Sequence, residues 1–124
     1  MTKRPTIRDV GTIDDAVCRE FQGSIELVGR RWSAAILLAL ARGAERFGEL
    51  NQAVDGISSR LLAVRLKELA DSDLIQRTVV PTTPVQIRYT LTPCGRELLV
   101  GLTPLIKWQQ RWGVVPSGDQ PGER

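Results

Sequence analysis

The sequence predicts a mainly α-helical winged helix–turn–helix with one small antiparallel β-hairpin, and three observations carry that prediction. A short amphipathic stretch ends in the turn dipeptide Asp55-Gly56, and a second helical stretch opens directly behind it at Ser58. Two strand-like runs follow, joined by Pro81-Thr82-Thr83-Pro84. A nearly continuous apolar run, residues 32–41, precedes both and supplies a central helix for them to pack against. This order fits DNA: one helix enters the major groove while the wing tip reaches the flanking backbone or minor groove.

Residues 1–13 mix charge, Pro and Gly without periodicity and read as a flexible arm. Helical spacing begins at residue 14. Val17, Phe21, Ile25 and Val28 recur at three- and four-residue steps, Asp14 and Asp15 favour the helix N-terminus, and Gly29 ends it. In the run 32–41, Ser33 is the candidate N-cap and Gly43 the stop. Phe47, Leu50 and Val54 share one face of the next helix. Ile57 then points inward, and Ser58 caps a helix whose buried stripe is Leu61, Leu62, Leu66 and Leu69. Helix geometry leaves Ser59, Arg60, Ala63, Lys67 and part of Arg65 on the opposite side.

Asp71-Ser72-Asp73 stops that helix, and residues 74–80 read as a strand. Val85, Ile87, Tyr89 and Leu91 alternate with polar residues, the period of a half-buried strand. Thr92-Pro93 supplies N-cap and first turn of a last helix carrying Leu98, Leu99, Leu102, Leu105, Ile106, Trp108 and Trp112. Gly101 and Pro104 interrupt it, which predicts a kink or break near Thr103. The domain is thus expected over residues 14–112, with 113–124 a disordered tail.

At 124 residues the chain fits one domain, and 42% hydrophobic with 25% charged residues is ordinary globular composition. No run approaches the ~18 apolar residues of a membrane span, and no apolar stretch follows the basic start, so the cytoplasm is the expected location. The net charge of +3 favours a polyanionic partner. Fourteen arginines stand against three lysines, which suits bidentate contact with phosphate or guanine and equally suits a GC-rich coding sequence. The absence of histidine excludes Ser-His-Asp and Cys-His catalysis and the common zinc sites. Two cysteines, Cys18 and Cys94, cannot form a four-thiolate centre, and no Gly-rich phosphate loop exists. No catalytic residue, metal or cofactor is therefore expected.

Several segments, in this order and spacing, carry a resemblance. They are Cys18, Gly29-Arg30-Arg31-Trp32-Ser33, Ile36-Leu37-Leu38-Ala39-Leu40, Arg46-Phe47-Gly48-Glu49-Leu50, Gly56-Ile57-Ser58-Ser59-Arg60-Leu61-Leu62 with Ala63-Val64-Arg65-Leu66-Lys67-Glu68-Leu69, and Pro84-Val85-Gln86-Ile87-Arg88-Tyr89-Thr90-Leu91-Thr92-Pro93 with Gly95. Together they resemble the HxlR-type family of bacterial transcriptional regulators, a branch of the winged helix–turn–helix class near the MarR proteins. The resemblance covers residues 18–112. It implies a homodimer held by the first and last helices, with two recognition helices on a pseudo-palindromic operator in double-stranded DNA, ~34–36 Å apart. Three positions depart from the family pattern: Asp73 stands where Gly is usual, Gly48 where a hydroxyl or Asn is usual, and the wing tip has no Arg or Lys.

The recognition helix offers Ser59, Arg60, Ala63 and Arg65 for base edges and Ser58 and Lys67 for the backbone. Arg65 has a second reading, an internal salt bridge to Glu49 or Glu68. Thr82 and Thr83 donate from the wing tip, Arg77 or Arg88 supports from the strands, and Arg31 can reach a phosphate. Phe21, Ile25, Ile106, Trp108 and Trp112 are the candidate dimer interface; for the tryptophans an ordinary core position is the alternative. Cys18 reads either as a redox sensor, as in some members of the family, or as a half-buried small hydrophobe beside Val17 and Phe21. The expected function is a sequence-specific transcriptional regulator, a repressor switched by a small-molecule effector or by cysteine oxidation. The alternative is a winged-helix protein-interaction or architectural module without sequence-specific DNA binding.

Overall fold

The computed structural model describes residues 5–113. Its elements are α1 (Ile7–Gly11), α2 (Asp15–Val28), α3 (Ser33–Ala41), α4 (Phe47–Ala53), α5 (Ser59–Asp71), β1 (Ile75–Val80), β2 (Gln86–Leu91) and α6 (Pro93–Trp112). α3, α4 and α5 close around Ile36, Leu37, Leu50, Leu62, Leu66 and Leu69, and Ile75 joins them from the root of the hairpin. Burying a side chain of that size stabilises by ~1.5–3 kcal/mol relative to exposure, so this cluster holds the helix–turn–helix together. α3 is central but not covered all round: Ile36, Leu37, Ala39 and Leu40 are buried, while Ala34, Ala35 and Ala41 face outward.

Helix ends follow local chemistry. Asp14 caps α2 by accepting from Val17 N–H at 2.9 Å, and Ser58 caps α5 by accepting from Leu61 N–H at 3.1 Å. After α3 the N–H of Ala44 returns to Ala39 C=O and that of Gly43 to Leu40 C=O, with Gly43 left-handed. α5 ends the same way, with Leu74 bonding back to Leu69 and Asp73 to Ala70. Asp73 sits at φ 63°, a turn most residues other than Gly and Asn avoid.

Several expectations are corrected. The arm contains a helix, α1, where Thr6 N–H donates to Asp9 Oδ2 at 2.7 Å; none of its residues is buried. Residues 1–4, and the predicted tail beyond Gly113, lie outside the described residues. Ser33 is not the cap of α3. Trp32 takes that place at φ 80°, and Ser33 becomes the first helical residue, its Oγ buried without a partner. α6 runs unbroken through Pro104. The hydroxyl of Thr103 donates to Leu99 C=O at 3.1 Å, and the carbonyl that the missing Pro104 N–H would have served belongs to Val100, a residue 72% exposed.

The hairpin pairs Ile75 with Leu91, Arg77 with Tyr89 and Val79 with Ile87. On its other edge β2 accepts one further connection, Tyr89 N–H to Glu45 C=O at 2.8 Å, which ties the wing to the segment entering α4. Thr92 locks α6 to the hairpin root, donating its Oγ1 to Asp73 C=O at 2.6 Å and its N–H to Leu74 C=O at 3.1 Å.

Candidate nucleic-acid interface

α5 carries the candidate surface. Its inward face is Leu62, Leu66 and Leu69; Ser59, Arg60, Ala63 and Lys67 are exposed on the other side. The turn that delivers it needs Gly56, at φ 93°, where a Cβ would meet Trp32 Cη2 at 3.3 Å. Among the described residues, Ser59 and Arg60 make no side-chain hydrogen bond and Arg60 joins no ion pair. The side-chain oxygen of Ser58 is occupied as the cap.

The remaining cations are held to different degrees. Arg65 donates Nε to Arg31 C=O at 3.0 Å and Nη1 to Glu68 at 3.2 Å, with its side chain only 16% exposed. Of its two readings the structure supports the internal salt bridge, to Glu68 rather than Glu49. Arg30 shares the same carboxylate at 3.4 Å. Lys67 pairs with Asp71 at 3.1 Å, both well exposed, so that contact is weak and easily exchanged for another. Arg31 is exposed and its guanidinium lies 4.9 Å from the Trp32 ring centroid.

On the wing, Arg88 donates to Glu45 Oε1 at 2.6 Å and to Gln86 Oε1 at 3.5 Å, a half-buried bracket rather than a free cation. Arg46 reaches Gln86 Oε1 at 3.0 Å. Glu49 accepts from the N–H groups of Glu45 and Arg46 at 2.9 and 3.1 Å, and these backbone bonds hold its carboxyl below the usual range. This bracket of Glu45, Arg46, Glu49, Gln86 and Arg88 was not read from the sequence as a unit. The only local signal for it was the Arg-Phe-x-Glu-Leu segment. At the tip Thr82 Oγ1 donates to Pro84 C=O at 2.7 Å, while Thr83 is exposed.

Away from α5, Phe21 (60% exposed), Ile25, Ile106, Trp108 and Trp112 (66%) all lie on the surfaces of α2 and α6. The core alternative for the tryptophans therefore fails within one subunit. Cys18 is exposed on α2 rather than half-buried, and Cys94 is exposed in the first turn of α6. Among the described residues no group of three metal-binding side chains forms. No helix among them is long and apolar enough to cross a membrane.

The family described as HxlR-like helix-turn-helix matches residues 27–116. YvaP, an HTH-type transcriptional regulator of Bacillus subtilis, is 38% identical over 101 residues, covering 82% of this chain and 93% of its own. YodB, an HTH-type transcriptional regulator of the same organism, is 34% identical over 98 residues, 79% of this chain and 88% of its own. The crystal structure of diamide-treated YodB superposes with a TM-score of 0.69 at 31% identity, covering 85% of this chain and 99% of that one. A transcriptional regulator of the MarR family from Enterococcus faecalis V583 gives a TM-score of 0.72 at 30% identity, over 82% and 91% of the two chains. These relatives are regulators of transcription rather than enzymes.

Proposed function

This chain belongs to the HxlR-like helix-turn-helix family of DNA-binding transcriptional regulators, and from that premise we propose that it is a homodimer that occupies a pseudo-palindromic operator as a repressor. A small molecule or oxidation of Cys18 releases it. The observation that carries the reading is the condition of α5. Its first turn presents Ser59 and Arg60 unengaged, with Ala63 one turn on. The first turn of a recognition helix enters the groove deepest. A bidentate Arg60–guanine contact discriminates by ~1–3 kcal/mol, and Ala63 is small enough to admit a thymine methyl.

Backbone contacts fall to Lys67, Thr83 and Arg31, with Ser58, Arg65, Thr82 and Arg88 holding the reading elements in place. The dimer reading is supported by α2 and α6. Phe21, Ile25, Ile106, Trp108 and Trp112, with Val17 and Leu105, are large apolar side chains left exposed on α2 and α6. Large aromatic residues are also the usual anchors of subunit contacts. The redox reading is supported by YodB, which has been crystallised both reduced and after diamide treatment. It is supported too by the exposure of Cys18, three residues before Phe21 on the same helix.

The test is selection. Reduced protein is mixed with short genomic fragments and excess non-specific competitor, and the retained DNA is sequenced. One enriched pseudo-palindrome with half-sites about one helical turn apart is the expected result. Retention without enrichment would replace the regulator with a module that does not read sequence.

A further inference from the structure

We propose that the recess between α5 and β1 is a seat for the DNA sugar–phosphate backbone, with Arg77 as its anion-binding residue; this rests on the DNA-binding reading above and adds a contact outside it. Alternation along β1 places Ile75, Arg77 and Val79 on one face of the hairpin. Ile75 on that face is core, 2% exposed, while Arg77 and Val79 further along it are exposed beside the recognition helix. Arg77 joins no ion pair and donates no side-chain hydrogen bond among the described residues.

What faces it is an open recess of about 360 Å³ lined by Ala63, Leu66, Lys67, Ala70, Asp71 and Tyr89. Tyr89 is the cross-strand partner of Arg77. Two cations thus meet one carboxylate, Asp71, which pairs only loosely with exposed Lys67 at 3.1 Å, so a net positive charge faces an occupant. A phosphodiester matches both halves of this lining. Its oxygens suit the planar guanidinium fork, and the C–H edge of the deoxyribose suits the alanine and tyrosine floor. The seat is flanked by the recognition helix on one side and the wing on the other, so a strand leaving the major groove beside Ala63 passes over it. It also gives the wing a charged phosphate contact on its strand, beside the uncharged tip, where Thr83 offers only a hydroxyl.

The experiment measures binding of the full chain to a short duplex of arbitrary sequence between roughly 50 and 200 mM salt. Wild type, Arg77→Gln and Arg77→Lys are compared, each checked by thermal melting. Arg77→Gln is expected to lower the log–log salt slope by about 0.9 per bound subunit, so that the affinity deficit changes about three- to fourfold across that range. Arg77→Lys should restore most of the slope. A slope equal to wild type in a folded Arg77→Gln protein overturns the proposal and leaves the DNA-binding reading standing. A changed preference among sequences at constant slope overturns it too, because Arg77 would then read bases. An unchanged slope together with a benzoate-induced rise in melting temperature, present in wild type and lost in Arg77→Gln, reassigns the recess to a small aryl anion. Wild-type protein without any salt-dependent binding brings down both readings.

Discussion

Replacing Gly95 by alanine separates helix propensity from the packing of this fold. Propensity alone predicts a gain of ~1 kcal/mol for Gly→Ala inside a helix. The structure predicts the opposite. A Cβ at position 95 would lie 2.1 Å from Leu74 C=O and 3.2 Å from Leu91 Cδ2, with Gly95 buried at the root of the hairpin. Ordinary carbon–oxygen contacts lie near 3.3–3.6 Å, so α6 or the carbonyl must retreat by about 1.2 Å. That carbonyl accepts from both Thr92 N–H and Thr92 Oγ1 at 3.1 Å, and retreat stretches both bonds. Overpacking costs ~1–3 kcal/mol and each lost hydrogen bond about 1 kcal/mol, so after the propensity gain a net loss of about 2–4 kcal/mol remains. Gly101, in the same helix with nothing within 4 Å of its Cβ position, is the control. Its alanine variant should gain ~0.5–1 kcal/mol. Urea melts at one fixed protein concentration measure both, the concentration held because the proposed dimer would couple dissociation to unfolding. A Gly95→Ala protein as stable as wild type would refute the seating of α6 on Leu74.

Four further outcomes are expected. Arg60→Ala should weaken operator binding tenfold or more while salt-sensitive binding to unrelated DNA persists, as competition titrations would record; unchanged operator affinity removes Arg60 from the reading set. Trp112→Asp, at a residue 66% exposed in the single subunit, should raise the dimer dissociation constant at least tenfold in sedimentation without loss of helical signal. Diamide should abolish DNA binding by wild type and spare Cys18→Ser; equal loss in both, or in neither, excludes Cys18 as the switch. Glu49 has a folded-state pKa lowered below its ordinary 4.5 by the N–H groups of Glu45 and then Arg46. Its charge therefore stabilises above that value, and the contribution disappears as pH falls through the lowered one. The stability gap between wild type and Glu49→Gln should be present near pH 7 and close as pH falls through the lowered pKa; a gap independent of pH contradicts the assignment.

Local signals in the sequence located α5 and the hairpin closely, because their determinants are local. Asp55-Gly56 and the Ser58 cap set where α5 starts, leucine spacing sets its inward face, and period-two alternation marks the strands. The turn at Asp73, left-handed in the structure, was legible only through the family resemblance, as a place where Gly is usual. Misreadings arose where a local rule met a competing context. The α1 turn is organised by Thr6 and Asp9 without any apolar stripe to announce it. Pro104 does not break α6, and Val100, whose carbonyl its missing N–H leaves unserved, is a largely exposed residue. The roles of the arginines were the least legible, since their partners are distant in the chain: Arg65 bonds to a carbonyl 34 residues away, and Arg88 to a carboxylate 43 residues away.

That distribution of partners changes what the charge of the domain means. A count of cations on α5 and the wing suggests a broad electrostatic footprint. Once pairing is included, Arg65 and Arg88 fasten elements together and Lys67 shares its charge with Asp71. Among the described residues Arg60 and Arg77 remain without carboxylate partners, one at the first turn of the reading helix and the other in the recess beside it. A contact to base edges and a contact to phosphate differ in what they do to binding: the first sets discrimination among sequences, the second affinity for all of them. Arg60→Ala and Arg77→Gln should therefore fail in different ways, one losing operator preference and the other salt dependence. The double variant should lose both additively, since the two side chains would act on different parts of the duplex.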